Sequence, residues 1–236
     1  MASPWVIAAT LPADKTFGAK HSVIPSRPAT PLPVPLYVWG RRAHIPAMAI
    51  LKIARMGHPI LRQRAAEVPD PTAPEVARLV DAMVETMHDA DGTGLAAPQV
   101  HMPWRIVVYF VDGGRASEED GGDEESGGMP LTVMINPVVE PLGTETNIGF
   151  EACLSVPDMA GPVRRYDRVR VTYRTLANEE VVLEAEGFHA RVIQHECDHL
   201  DGILYPARIE DMSQFGFMEE LGKAQQDAEA GAAADD

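Results

Sequence analysis

From Met48 onward the chain carries two spacings of apolar residues. Val76, Leu79, Val80, Met83, Val84 and Met87 recur at three- and four-residue intervals, the repeat that gathers side chains on one face of an α-helix. Thr72, Pro74 and Glu75 ahead of them read as a capped helix start, and the pattern predicts an end near Gly92. The stripe is expected to be core. Apolar runs at 104–111, 131–135, 169–174 and 180–186, each bounded by Gly, Pro or Asn, predict strands, and their short connections suit antiparallel pairing. A second helical repeat, Phe188, Val192 and Ile193, lies in GFHARVIQHECDHLDGILY.

Three segments lack either spacing. Residues 1–47 are rich in proline and carry five basic residues against one acid, Asp14. Such a break predicts a flexible extension outside the folded domain, either a transit peptide or upstream sequence ahead of a true start at Met48. DGGRASEEDGGDEESGG, at 112–128, holds too much glycine and charge to bury anything. It predicts a mobile acidic loop and lacks the alternating ligand order of a calcium loop. After Asp211 a helix is expected to begin and then fray in AEAGAAADD, so 48–211 is the predicted domain and 212–236 its acidic tail.

Charge and composition narrow the function classes. A net charge of −15 argues against general affinity for nucleic acid or anionic membrane, which needs clustered Lys and Arg. No run of 18 apolar residues occurs, so no transmembrane helix is expected. Two cysteines, Cys153 and Cys197, are too few for a disulfide framework and suit a reducing compartment.

The candidate chemistry centres on His195, Glu196 and His199, which form H-E-x-x-H within the second helical repeat. Residues four apart stand one turn from each other on one helix face, so both imidazoles can bind one metal while Glu196 faces a water. Two ordinary helix histidines would give the same four letters, and a third ligand must be found. A metzincin-type site would need His where Tyr205 stands. A thermolysin-like site would take a later glutamate, and Glu219 sits in the charged tail. Upstream, Cys153 in GFEACLSVP offers a thiolate suited to a borderline-soft divalent ion, although a buried structural cysteine would look the same. GTGLAAPQV adds small residues, which let a substrate backbone come close, and Gln99, whose amide can donate to an oxyanion.

Taken in order, GTGLAAPQ, EACLS and QHECDH resemble the three signature motifs of the peptide deformylase family, and MAILKIARMGHPILRQRA resembles its opening; the similarity runs from about Met48 to about Ile209. The resemblance implies an α+β fold with short antiparallel sheets around a central helix carrying the metal site. It implies hydrolysis of the formyl group of formyl-methionine on nascent proteins, releasing formate. Cys153, His195 and His199 become the metal ligands, Glu196 the general base and then acid, and Gln99 with the Leu154 N–H the oxyanion hole. Ferrous iron is the expected metal, with zinc, nickel or cobalt as substitutes. By position, Thr93, Phe188 and Val192 are expected to form the methionine side-chain pocket. Gly92, Gly94 and the strand leading into Glu151 are expected to offer backbone groups to an extended peptide. Glu151 is expected to pair with Arg165, Cys197 to pack, and Asp198 to support the ligands. A bacterial cytoplasm is the expected location, or an organelle if residues 1–47 are a transit peptide.

The sequence departs from the family pattern in three places. Ala152 stands where glycine is usual, and a positive φ there would cost about 1 kcal/mol. DMAGPV lacks a basic residue that many members place near the peptide. The C-terminal tail, with Glu219, Glu220, Asp227, Glu229, Asp235 and Asp236, is acidic, which argues against docking to ribosomal RNA by that route.

Overall fold

The computed structural model describes residues 49–111 and 128–234. The expected extension at 1–47 and nearly all of the acidic loop lie outside the described residues. Among the described residues eight strands follow one another: β1 (Gly94–Ala96), β2 (Ile106–Val111), β3 (Met129–Pro141), β4 (Thr146–Cys153), β5 (Val156–Tyr166), β6 (Arg168–Arg174), β7 (Glu180–Glu186) and β8 (Gly216–Phe217). Three α-helices accompany them: α1 (Pro74–Asp89), α2 (Gly187–Leu200) and α3 (Met218–Ala234). The fold is α+β, with a five-stranded antiparallel sheet ordered β1-β2-β3-β6-β7 and a three-stranded antiparallel sheet ordered β4-β5-β8.

The run IVVYFV of β2 is apolar at nearly every position because both of its faces are covered. Val107, Tyr109 and Val111 pack with Phe188, Val192, Ile193 and Leu200 of α2, while Ile106 and Val108 pack with Val76, Val80, Met83 and Met87 of α1. The sheet therefore lies between the two helices, and α2 is central. β6 meets water on one face only: its Val169, Val171 and Tyr173 are buried and the intervening residues are not, the alternation expected of such a strand. Cys153, Val156 and Val163 of the smaller sheet pack on Tyr205, in the segment after α2.

Several sequence expectations shift. Ala73, not Thr72, holds the N-cap position of α1 and makes no side-chain cap. Thr72 donates instead to Asp70, and Pro74, which has no N–H, needs no cap at the first helical position. Leu79 lies at the edge of the apolar stripe and is only partly buried. The strand expected over 131–135 extends to 129–141, with a bulge where Asn136 takes φ 52° and its side chain bonds both backbone groups of Val68. The helix expected after Asp211 begins only at Met218, behind the two-residue strand β8, and stays helical to Ala234.

Candidate metal centre

Helix α2 presents His195, Glu196 and His199, all buried. The hairpin of β4 and β5 turns at Leu154 and Ser155, which places Cys153 at its tip. Its Sγ lies 3.4 Å from His199 Nε2, and the ligand atoms of Cys153, His195 and His199 all lie within 4.8 Å of one another. One thiolate and two imidazoles, buried and converging on one point, fit a divalent ion held by three protein ligands with a position left open. The sequence separation of 46 between Cys153 and His199 explains why helical spacing alone did not bring this cysteine to the histidines.

Of the three candidate ligands, His195 and Cys153 are held by neighbours, whereas His199 Nδ1 has no partner among the described residues. His195 Nδ1 lies 2.8 Å from Glu151 Oε2, an arrangement that commits the Nδ1 proton to the carboxylate and leaves Nε2 to coordinate. Glu151 is fully buried, and it accepts from Arg165 Nε and Nη2 at 2.8 Å each and from Arg191 Nη1 at 3.0 Å. Burial opposes its ionisation, but the Arg165 guanidinium and His195 outweigh it and hold the carboxyl well below its ordinary range. The expected pair with Arg165 is thus present. The Glu151 carboxylate points inward, where two guanidiniums and an imidazole require a counter-charge, which leaves only the backbone of its strand to meet a peptide. Arg191, one turn before His195, was not anticipated, although a charge on a helix face otherwise read as buried was a visible signal. Asp198 gives its support indirectly. It touches no ligand but accepts from Arg165 Nη1 at 2.6 Å and from Arg208, so it reaches His195 only through Arg165 and Glu151.

Glu196 stands on the other side of the ligands. Gly92, Thr93, Gly94, Gln99, Ala152, Cys153, Leu154, Val192, His195 and Glu196 line a cavity of about 20 Å³, enough for one water. Glu196 Oε2 is buried without a hydrogen-bond partner among the described residues. Burial, reinforced by Glu151 and opposed by His195, pushes the Glu196 carboxyl up to about 7, where it can both take and return a proton near neutrality. A Cβ on Gly94 would sit 2.4 Å from Glu196 Oε1, so glycine is what lets β1 approach the carboxylate.

Gln99 is fixed from both ends: Oε1 accepts from the Ala96 N–H at 2.8 Å, and Nε2 donates to Ser155 Oγ at 3.2 Å and Cys153 Sγ at 3.5 Å. Its amide hydrogens thereby face the thiol rather than solvent. Thr93 and Val192 line the cavity, whereas Phe188 packs in the core with β2 and β6, one turn of α2 away from the lining. Cys197 packs in the same core cluster, and burial pushes its thiol up. Ala152 lies in extended β4 opposite Ala160 and is absent from the residues of positive φ, so the strain feared from replacing glycine does not arise. A larger groove of about 640 Å³ opens behind α2, but it contains none of the three ligand residues.

This geometry agrees with what the chain is similar to. The profile of the polypeptide deformylase family matches residues 50–215. The chain belongs to the peptide deformylase family. It is 44% identical over 169 residues to peptide deformylase 1 of Bordetella pertussis, covering 72% of this chain and 93% of that relative. It is 42% identical over 172 residues to peptide deformylase 2 of Ralstonia nicotianae, covering 73% and 94%. Among solved structures, the class I type b peptide deformylase of Acinetobacter baumannii bound to Met-Ala-Ser superposes with a TM-score of 0.61 at 37% identity, over 69% of this chain and 99% of that one. The peptide deformylase of Thermotoga maritima gives 0.59 at 35% identity, with 69% and 99% covered. The activity is accordingly metal-dependent hydrolysis of the N-formyl group of formyl-methionine peptides, releasing formate. No helix among the described residues is long and apolar enough to cross a membrane.

Proposed function

We propose that Cys153, His195 and His199 hold one ferrous ion and that Glu196 is the proton carrier of the deformylation. The observation that carries this reading is the convergence of the three ligand atoms within 4.8 Å beside the unpartnered Glu196 Oε2. The bound ion supplies Lewis-acid activation of water and of the formyl carbonyl. Glu196 accepts the proton of the attacking water and passes it to the leaving amine, a double duty suited to a carboxyl near neutrality. Gln99 Nε2 and the Leu154 N–H donate to the oxygen on which negative charge develops. β1 ends the larger sheet and β4 ends the smaller one, so an extended peptide can pair between Gly92–Gly94 and the approach to Glu151. Thr93 and Val192 meet the methionine side chain. The Met-Ala-Ser bound to the Acinetobacter baumannii relative supports a product of this kind.

The domain proposed for this work is 48–211, acting on nascent proteins in a bacterial cytoplasm, with 1–47, the acidic loop and 212–236 outside the catalytic unit. In α3, Glu219 and Glu220, one turn before Lys223, both engage it, a surface without the basic excess that RNA docking requires. Formate release from formyl-Met-Ala-Ser by anaerobically purified protein, with metal analysis, tests the reading. Turnover with about one iron per chain, lost in Glu196→Ala with the metal retained, is the expected result; turnover that persists in that variant overturns the assignment of Glu196.

A further inference from the structure

The short 3-10 turn Tyr205–Arg208 leaves α2 and folds back against it. Tyr205 is buried, stacks on His195 with ring centroids 6.1 Å apart, and donates its hydroxyl to Met159 O at 2.8 Å. Three residues later Arg208 grips both oxygens of Asp198, through Nε to Oδ2 and Nη2 to Oδ1. Asp198 Oδ2 also accepts from Arg165, whose remaining donors hold both oxygens of Glu151, and Glu151 holds His195 Nδ1. An unbroken line of charge-assisted bonds thus runs Arg208, Asp198, Arg165, Glu151, His195. Its inner members are almost entirely enclosed, with side-chain exposures of 12% for Asp198, 3% for Arg165 and 0% for Glu151, whereas Arg208 is 40% exposed at the wall of the groove behind α2.

We infer that Arg208 is a positioning residue for the metal ligand His195, acting through Asp198, Arg165 and Glu151; this rests on the ligand set proposed above. The reason lies in how Arg165 is shared. It serves two carboxylates with three donors, two on Glu151 and one on Asp198. Asp198 Oδ1 accepts only from Arg208 among the hydrogen bonds of the described residues. Removing Arg208 leaves Asp198 short of donors, and the nearest guanidinium that can supply one is Arg165. Any rotation of Arg165 toward Asp198 is taken from Glu151, and Glu151 is what fixes the ring of His195. Arg164 provides an internal comparison. It lines the same groove and pairs with Glu210, which has no part in the chain of bonds.

Affinity for Co²⁺, measured by competition with a chelating dye together with the visible absorption of the bound ion, tests the inference. Loss of a partner that touches a ligand directly costs 10–100-fold in metal affinity, so a partner three links further out is expected to cost about three- to tenfold in Arg208→Ala. The absorption bands should shift, Arg208→Lys should restore part of both, and Arg164→Ala should change neither. Should Arg208→Ala fail to fold, Arg208→Met carries the same expectation, since it keeps the length and packing of the side chain and supplies no donor. A folded Arg208 variant with wild-type affinity and spectrum overturns the inference, as does an equal loss in Arg164→Ala, which would indicate general groove charge. Binding abolished by Cys153→Ser leaves the ligand set standing in either case; binding that survives Cys153→Ser overturns the ligand set and this inference with it.

Discussion

Replacing Glu196 by glutamine should stabilise the protein once the metal has been stripped by a chelator, and should do so only above a definable pH. The carboxyl is buried, one oxygen has no hydrogen-bond partner among the described residues, and burial raises its pKa from 4.5 to about 7. A carboxyl whose folded-state pKa lies above its unfolded value lends its stability in full below the unfolded value, and loses it as the pH rises through the folded one. The window is therefore 4.5 to about 7. At about 1.4 kcal/mol per pKa unit, ionised Glu196 costs the native state ~3 kcal/mol above that window. Glutamine removes the charge, but its amide finds few partners in the same cavity, a loss of roughly 1–2 kcal/mol. The net gain for the variant is ~1–2 kcal/mol at pH 8, or ~3–6 °C in Tm for a domain of this size. Thermal and urea unfolding of both proteins at pH 5 and pH 8 gives the comparison. At pH 5 the variant should hold no such advantage, because wild-type Glu196 is then largely protonated. Stability curves that run parallel across this range, or a variant that loses ground as the pH rises, would refute the burial argument and with it the reason given for a proton carrier near neutrality.

Two further substitutions test the walls of the site. Gly94→Ala places a methyl 2.4 Å from Glu196 Oε1 and 2.6 Å from its Cδ; moving the carboxylate by about 1 Å should lower kcat about 100-fold, while the metal content of the purified protein stays at wild type. Equal turnover by Gly94→Ala would mean that the carboxylate has freedom the packing does not suggest. Ala152→Gly should bring no gain in formate release, since the backbone at Ala152 is extended and unstrained, and should cost about 0.5–1 kcal/mol in urea unfolding through the freedom that glycine gains in the unfolded chain. A rise in activity would show that the side chain, not the backbone, restrains Cys153.

What could be read from the sequence was local. The four-residue spacing of His195 and His199 and the stripe of α1 follow from helix geometry, and both are where the pattern placed them. β4 and β5 were not read as a hairpin, apart from the strand-like setting of Cys153. Their sequences TNIGFEAC and VPDMAGPVRRY lack a clean two-residue alternation, because Ala152, Ala160 and Gly161 fill the tight space that larger apolar residues occupy in other strands. Cys153 was linked to the histidines through family resemblance, since a contact across 46 residues leaves no periodic trace. Arg208 left no signal at all: its partner Asp198 is ten residues away across a helix end and a turn.

The buried charges explain how a site made from two separate pieces keeps its geometry. Cys153 belongs to the small sheet and both histidines to the helix packed on the large one, so the metal geometry depends on the joint between them. Arg191 closes that joint from the helix side, donating to the backbone carbonyls of Asn147, Gly149 and Val163 as well as to Glu151. Arg165 closes it from the hairpin side, reaching Glu151 on the neighbouring strand and Asp198 on the helix. Apolar residues of equal volume could give comparable stability, since the desolvation of buried ions offsets much of their attraction. They would not give the same register, because apolar contacts tolerate sliding and hydrogen bonds to fixed guanidinium planes do not. A metal centre needs its ligands placed within a few tenths of an ångström, and directional bonds across the joint meet that need where packing alone would not.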